Sequence, residues 1–245
     1  TTKFFWGDQW QTNHTWFRGN SNKNYSKKRK TFPGSAHETQ TNAFGLIDIT
    51  GNVKEWCQDD YIGDYKNGPN GNQARKSEGA AEYRCVRGGS FKTGFTYTRS
   101  YARFEHAPKF LATDLGFRVA AALPWQGPKP VVADKVEINS NANQNPAGLL
   151  TDMKRYARST PKEQDKAIEL VAVKLGKAYK FLKTRSYICG PLQYRIASFK
   201  HLETGMAFQL IPGGAYLMGS QSGADNEKPA HTVKISKPFL MGKFE

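Results

Sequence analysis

The sequence predicts an α+β protein, in which an irregular, loop-rich domain of short strands carries an additional helical segment. Glycine occurs 23 times and aromatic residues make up 13% of the 245 residues, a composition typical of a domain rich in turns and loops. Short runs that favour strands, such as CVRGGSF at 85–91 and LGFRVAAAL at 115–123, stand between polar loops. Apolar residues recur at helical spacing from residue 149 onward.

These changes of texture divide the chain into four segments. Residues 1–123 form the loop-rich block, and PWQGPKP opens a polar, Asn-rich stretch that we interpret as a linker over 124–148. Residues 149–205 are predicted to be a basic helical segment. Residues 206–245 return to strand-like texture, beginning with a predicted hairpin around a Pro-Gly-Gly turn.

Two helices are predicted in the third segment. The first contains Leu150, Met153, Tyr156 and Ala157 at helical spacing. The second begins with Thr160 as N-cap, Pro161 at the first helical position and Glu163 three residues after the cap. Its apolar stripe is predicted to contain Ile168, Val171, Leu175, Tyr179 and Leu182. The pattern does not determine what this apolar face packs against: the first block, the neighbouring helix or another protein.

The chain is strongly basic, with a formal net charge of +15. One source is the run KKRK at 27–30, and another is the stretch 147–187, which holds ten Lys or Arg against four Asp or Glu. A polyanion could bind the basic helix through Lys174, Lys177 and Lys180, or the lysines could form a solvated face. No nucleic-acid-binding motif accompanies the charge. The sequence has no run of 18 apolar residues, so no transmembrane segment is predicted.

Cysteine and histidine are too scattered to predict a zinc site. Cys57, Cys85 and Cys189 show no CxxC spacing, and the five histidines are dispersed along the chain. The spacing allows one disulfide among the three cysteines but does not indicate which two would form it. We expect at least two of the three to be buried free thiols.

The stretch NAFGLIDITGNVKEWCQDDY, residues 42–61, is the most informative in the chain. Asp48, Gly51, Val53 and Glu55 follow at short intervals around a Gly-Asn pair that suggests a tight turn. Two carboxylates bracketing turned carbonyls suit a hard cation with oxygen ligands, calcium above all. The same pattern also fits a structural turn with capping carboxylates.

Several motifs resemble the formylglycine-generating enzyme family, also called the sulfatase-modifying-factor family. They are FFWGD at 4–8, GLIDITGNVKEWCQD at 45–59, RCVRGGSF at 84–91, DLGFRVA at 114–120 and FQLIPGGAYLMGS at 208–220. The resemblance implies a C-type-lectin-like α+β fold. It implies that residues 1–123 are the C-terminal part of such a domain and residues 206–245 its N-terminal hairpin. Three explanations fit this order: circular permutation, halves of two tandem units, or joined pieces of a longer protein.

The resemblance also implies site residues and cofactors. It implies a structural calcium ion held by the side chains of Asp48 and Glu55 and the carbonyls of Gly51 and Val53. The copper-binding cysteine pair of active members falls here on Phe95 and Ser100, and residues 90–116 contain no cysteine. This argues against copper and formylglycine generation, because copper(I) requires soft thiolates. A related iron-dependent branch uses helical histidines, which residues 149–187 lack.

A ligand groove is a further expectation from the resemblance, because family members bind substrate near this segment. Its residues here are Arg99, Tyr101, Arg103, Glu105 and His106. The alternative is a surface loop whose arginines anchor backbone carbonyls.

The resemblance, through the motifs at 45–59 and 84–91, also implies a structural role for Cys57 and Cys85, because it places them beside positions where small residues are buried.

The leading interpretation is a non-catalytic, calcium-stabilised module that binds a protein or glycan ligand or joins other subunits in an assembly. The alternative is a metal-dependent oxidase or oxygenase whose active site is completed by residues outside this chain. A calcium-clamped lectin-like fold favours the cell envelope or the extracellular space.

Overall fold

A computed structural model describes residues 2–11, 15, 17–18, 31–32, 41–123, 146–189 and 192–245. The basic run 27–30 and residues 124–145 of the interpreted linker lie outside this range. The chain forms two compact units: one of Thr1–Val119, Ala215–Lys234 and Lys243–Glu245, the other of Ala120–Gly214 and Ile235–Gly242. None of the helices in the described ranges is long and apolar enough to cross a membrane.

The first unit contains a four-stranded sheet of short strands, in the order β3-β2-β1-β4. These strands are β1 (Lys54–Asp60), β2 (Arg84–Arg87), β3 (Phe104–His106) and β4 (Leu115–Phe117). β1 runs parallel to β4 and antiparallel to β2, with a bulge between Trp56 and Asp60. β9 (Gly214–Met218) and β10 (His231–Ile235) form a separate two-stranded sheet. Long loops therefore carry much of this unit, as the glycine-rich composition predicts.

Aromatic rings fill part of the core of the first unit. Phe4, in the FFWGD motif, is fully buried and stacks on Trp6 at 5.0 Å between ring centroids. Trp10 packs edge-on against Phe17 at 4.8 Å and tilted against Phe95 at 5.0 Å. Such ring pairs stabilise a loop-rich core beyond the area they bury.

The second unit contains a five-stranded sheet in the order β5-β11-β8-β7-β6. The strands are β5 (Ala120–Ala122), β6 (Tyr179–Cys189), β7 (Leu192–His201), β8 (Ala207–Ile211) and β11 (Phe239–Gly242). All neighbouring strands are antiparallel. Phe199, Leu210 and Leu240 are buried on these strands.

Between residues 146 and 175 the chain forms three α-helices: α1 (Pro146–Leu149), α2 (Met153–Arg158) and α3 (Pro161–Leu175). Asp152 caps α2 by accepting from the backbone N–H of Lys154 at 2.9 Å and of Arg155 at 3.1 Å. The buried Tyr156 of α2 donates its hydroxyl to the carbonyl of Arg195 on β7 at 2.6 Å. Leu150, predicted within the first helix, is fully buried in the turn before α2.

The predicted start of α3 is confirmed, but its predicted extension is wrong. Thr160 Oγ1 accepts from the N–H of Glu163 at 3.3 Å, and the Glu163 carboxylate accepts from the N–H of Thr160 at 2.8 Å. The helix ends at Leu175 because Gly176 follows it with a left-handed φ of 60°. Tyr179 and Leu182 belong to β6, which pairs along its length with β7. The segment 149–205 is therefore half helix and half hairpin.

This correction also separates the lysines predicted to lie on one basic helix. Lys174 is in the last turn of α3, Lys177 is in the short 3-10 turn after it, and Lys180 is on β6. Polyanion binding through these lysines stays a prediction, but a single helical face does not carry them.

The predicted hairpin at the start of 206–245 is also wrong. β8 pairs with β7 and β11, whereas β9 pairs with β10, so the Pro-Gly-Gly turn connects strands of different sheets. A Cβ on Gly213 would lie 2.6 Å from the carbonyl oxygen of Ile235, so only glycine fits there. β11 lies between β5 and β8, and the segments 1–123 and 206–245 therefore contribute strands to one sheet.

Candidate functional site

The turn before β1 adopts the conformation that its sequence suggests. Asp48, Gly51 and Asn52 have left-handed φ values of 51°, 84° and 54°. The N–H of Gly51 donates to the carbonyl of Gly88 at 2.7 Å, which ties the turn to the end of β2. Asparagine and aspartate tolerate this region better than other residues with side chains, and glycine enters it freely.

Asn52 lies at the centre of a buried polar cluster. Its side chain forms two hydrogen bonds with the backbone of Phe32: Oδ1 accepts from the N–H at 2.8 Å, and Nδ2 donates to the carbonyl at 3.0 Å. Nδ2 also donates to Asp48 Oδ2 at 3.3 Å and to Glu245 Oε1. Two carboxylates therefore converge on one amide nitrogen.

The carboxylate of Glu55, a predicted calcium ligand, is paired with a buried arginine. Both of its carboxylate oxygens accept from Arg118, with Nη2 to Oε1 at 2.6 Å and Nε to Oε2 at 3.2 Å. Arg118, whose side chain is 1% exposed, also donates to the carbonyls of Ile47 at 2.8 Å and Lys243 at 3.0 Å. A buried guanidinium with this many acceptors fixes the strand ends around it.

Glu245 is the least compensated carboxylate of the cluster. Among the described residues its buried Oε2 has no hydrogen-bond partner, and it lies 4.0 Å from Arg118 Nη2. Burial, together with the charges of Asp48 and Glu55, raises the pKa of Glu245 to about 9.

A cavity of about 320 Å³ opens beside this cluster. Its lining residues are Thr31, Phe32, Ile47, Asp48, Asn52, Val53, Gly116, Phe244 and Glu245. Of the four predicted calcium ligands, Asp48 and Val53 line this cavity, whereas Gly51 and Glu55 do not. Within the described ranges, no group of three or more His, Cys, Asp or Glu side chains is placed to hold a metal ion.

A second cavity, of about 350 Å³, lies beside β3. Its lining residues are Lys54, Tyr61, Thr93, Tyr97, Arg103, Phe104, Glu105, His106 and Asn226. Three of the five predicted groove residues, Arg103, Glu105 and His106, line it together. The Tyr97 ring is 46% exposed and stacks on Phe104 at 5.0 Å.

His106 is held between a cation and an aromatic ring. Its Nε2 is 3.0 Å from Lys54 Nζ, and its ring stacks on Phe110 with centroids 4.3 Å apart. Burial, followed by the charge of Lys54, lowers the pKa of His106. The imidazole is therefore neutral near neutral pH and can accept a hydrogen bond from the lysine. Lys54 is in turn paired with Asp114 at 3.6 Å.

Arg103 is a buried residue in the lining of this cavity. It is 3% exposed, and its guanidinium lies over the rings of Tyr61 at 4.7 Å and Tyr65 at 4.5 Å. It donates to the carbonyl of Asn226 at 3.2 Å, and Asn226 Nδ2 donates to the Tyr61 hydroxyl at 2.9 Å. The remaining amide oxygen, Asn226 Oδ1, is buried and has no hydrogen-bond partner in the described structure.

The other two predicted groove residues have different roles. Arg99 is paired with the buried Glu227 at 2.9 Å, and its guanidinium lies over the Tyr101 ring at 4.8 Å. Neither Arg99 nor Tyr101 lines the cavity. Lys54, Tyr97 and Asn226 were not predicted; Asn226 carries no signal in the sequence because it is far from β3 along the chain.

Phe95 and Ser100, on which the resemblance places the copper-binding cysteines of active members, contact residues near the start of the chain. Phe95 packs on Trp10 in the aromatic core, and the backbone N–H of Ser100 donates to the carbonyl of Lys3 at 2.9 Å.

The first unit is a sheet of short strands joined by long loops, with a buried Gly-Asn turn before β1, and with helices α1–α3 the described chain has a β-rich α+β fold. A model of the sulfatase-modifying factor enzyme 1-like domain matches residues 1–123, half of the 245-residue chain. The chain therefore belongs to the sulfatase-modifying factor family, as its motifs predict.

Curated relatives match a shorter region. The serine/threonine-protein kinase pkn1 of Chlamydia pneumoniae is 36% identical over 81 residues, and that of Chlamydia caviae is 35% identical over 80 residues. Each match covers 32% of this chain and 13% of the relative, so the chain spans about an eighth of their length. Among solved structures, Treponema denticola variable protein 1 matches with 31% identity and a TM-score of 0.32, over 43% of this chain and 34% of that one.

Proposed function

We propose that this chain is a non-catalytic binding module whose cavity beside β3 receives a peptide segment of a partner protein. The observation that carries the proposal is Asn226, a residue that lines this cavity and whose Oδ1 is a buried acceptor without a hydrogen-bond partner in the described structure. A peptide N–H would supply the missing donor, and an unpaired buried acceptor is costly without one. The stacked rings of Tyr97 and Phe104 offer apolar surface for a side chain of the same peptide.

Two features of the sequence support a non-catalytic role. Residues 90–116 contain no cysteine. At the two positions where the resemblance places the copper-binding cysteines, Phe95 packs on Trp10 and Ser100 forms a backbone hydrogen bond. Copper bound at one ion per purified chain would overturn this part of the proposal.

A phage-displayed library of random peptides tests the binding role. Peptides selected on the chain should bind Asn226→Leu at least about tenfold more weakly, which corresponds to roughly 1.4 kcal/mol. Asn70→Leu, at an exposed asparagine outside the cavity, is the matched control and should bind as the wild type does. Selected peptides that bind Asn226→Leu with undiminished affinity would contradict the assignment.

We also propose that a structural calcium ion binds in the cavity beside Asn52. Asp48, Val53 and Glu245 line this cavity and offer oxygen ligands, and the buried Glu245 Oε2 accepts no hydrogen bond from the part of the chain that the structure describes. Glu55 fits the role less well than the sequence suggests, because both of its oxygens accept from Arg118. The ion would tie the turn before β1 to the chain around Glu245.

Thermal unfolding in calcium, in magnesium and in chelator tests the metal proposal. At about a hundredfold excess over the dissociation constant, calcium should raise the free energy of unfolding by roughly 2.7 kcal/mol. Asp48→Asn should lose this stabilisation, whereas Asp225→Asn, at a fully exposed carboxylate, should keep it. An unchanged unfolding midpoint in calcium and in chelator would show that no such site exists.

A further inference from the structure

β6 is the outer strand of the five-stranded sheet in the second unit. It has 11 residues, about twice the length of a typical strand. It pairs with β7 on one side, and no strand of the described chain pairs with its other side. An edge strand presents a row of backbone N–H and C=O groups that can pair with a further strand. The outer side of β6 can therefore bind an extended peptide through backbone hydrogen bonds.

A register shift in β6 places three basic residues on one face of the sheet. Lys180, Lys183 and Arg185 pair with every second residue of β7, namely Lys200, Ser198 and Ile196. Side chains two residues apart on a strand point to the same face, and paired residues share that face. Lys180 and Lys183 are three residues apart, so they share a face only because the register shifts between Phe181 and Lys183.

This basic face lacks compensating acids within the part of the chain that the structure describes. Lys180, Lys183, Arg185 and Lys200 are all exposed, and none of them forms an ion pair with a described residue. Lys180 lies directly opposite Lys200, and like charges in a cross-strand pair destabilise a sheet. An acidic neighbour would offset this repulsion. A second copy of β6 would instead add further positive charge, so the charges favour an acidic partner.

The opposite face of β6 exposes two large apolar side chains. Phe181 is 44% exposed and Ile188 is 76% exposed, and their partners on β7 are Phe199 and Gln193. A strand added to this edge would place every second side chain beside the basic face and the others beside Phe181 and Ile188. Nucleic acid or a sulfated glycan would use the basic side chains alone. The two faces together favour a protein segment that alternates acidic and apolar residues.

We propose that the outer edge of β6 binds an extended acidic segment of a partner protein, which pairs with β6 as an added strand. Its carboxylates lie beside Lys180, Lys183 and Arg185, and its apolar side chains lie beside Phe181 and Ile188. No residue of β6 lines the cavity beside β3 or the cavity beside Asn52. Binding at this edge therefore does not depend on the peptide-binding function proposed above.

Fluorescence anisotropy of labelled peptides with the full chain tests this edge. The probe is a nine-residue peptide of alternating glutamate and valine, and its control has the same residues arranged in two blocks. The alternating peptide should bind at least about tenfold more tightly, because only it can pair as a strand with both kinds of side chain on their matching faces. Two further probes are N-methylated at every valine or at every glutamate, which blocks one edge of the peptide in each case. At least one of them should lose binding.

Charge-reversal variants locate the binding site. The double variant Lys183→Glu, Arg185→Glu should bind the alternating peptide at least about tenfold more weakly, because like charges then face each other. The double variant Lys162→Glu, Lys166→Glu makes the same change in net charge at exposed lysines of α3, and it should bind nearly as the wild type does. Circular dichroism checks that both variants fold, and the peptide series on the wild-type chain decides the question even if one does not.

Hydrogen exchange identifies what occupies the edge. The alternating peptide should protect backbone amides of β6 in the wild-type chain. Equal affinities for the alternating and block peptides, or undiminished binding of both N-methylated peptides, would show a polyanion site without strand pairing and would overturn the proposal. Protection of β6 that rises with protein concentration in the absence of peptide would assign the edge to a second copy of the chain and would overturn it too. So would an alternating peptide that does not bind.

Discussion

The sheets of the two units are held together by different kinds of contact. In the second unit, β6 and β7 pair along their whole length, from Tyr179 opposite His201 to Cys189 opposite Leu192, with one register shift. In the first unit the strands of the main sheet are short, and the buried side chain of Arg118 donates to the backbone carbonyls of Ile47 and Lys243. A single polar side chain should therefore contribute more to stability in the first unit than in the second.

Replacement of a buried arginine is the largest test of this difference. Arg118→Met should lower the free energy of unfolding by about 4 kcal/mol, because it leaves the Glu55 carboxylate buried without its cation. Arg195→Met in the second unit is the matched control, since Arg195 also binds a carboxylate, Asp165, and a carbonyl, that of Pro161. Its side chain is 26% exposed, so we expect a loss of about 1 kcal/mol or less. Chemical denaturation measures both, and equal losses would break the comparison.

A second test of the comparison is the contribution of Asp60 in the first unit to the free energy of unfolding, which should depend on pH. Its carboxylate accepts from the N–H of Ser77 at 2.9 Å and pairs with Arg84 at 2.7 Å, and these contacts lower its pKa. An acid with a lowered folded-state pKa stabilises the fold above its unfolded value of 3.8, and that stability is lost as the pH falls through the folded value.

Asp60→Asn should therefore cost about 2 kcal/mol near neutral pH, because it removes charge-assisted hydrogen bonds. The difference from wild type should shrink in acid, below pH 3.8. Urea unfolding curves over a pH series measure it. A difference that stays constant into acid would show that the charge of Asp60 contributes nothing.

The smallest effect is expected at the cap of α3 in the second unit. Thr160→Ala removes the acceptor for the N–H of Glu163 and should cost about 1 kcal/mol. Thr160→Ser keeps the hydroxyl and should recover most of the loss. A loss from Thr160→Ala as large as that from Arg118→Met would contradict the difference between the units.

The difference between local and long-range contacts also explains which elements can be predicted from the sequence. The start of α3 is predictable because Thr160, Pro161 and Glu163 interact within one turn. β6 is not, because the apolar spacing of Tyr179 and Leu182 also fits a helix, and only pairing with β7 decides between them.

In the candidate sites, contacts between residues close in sequence are predictable, whereas contacts with distant segments are not. Arg103 and His106 lie close together along the chain and line one cavity, whereas Asn226 reaches it from a distant segment. The spacing around Glu55 suggests a metal ligand, but it carries no information about Arg118, which binds both oxygens of that carboxylate.

The position of β11 between β5 and β8 has a consequence for how the protein folds. Ala121 pairs with Leu240, nearly half the length of the chain away, so this part of the sheet closes a very long loop. Contacts so distant in sequence slow the folding of a domain. During synthesis, β5 leaves the ribosome long before its partner exists, and its edge stays open to wrong pairings until β11 emerges.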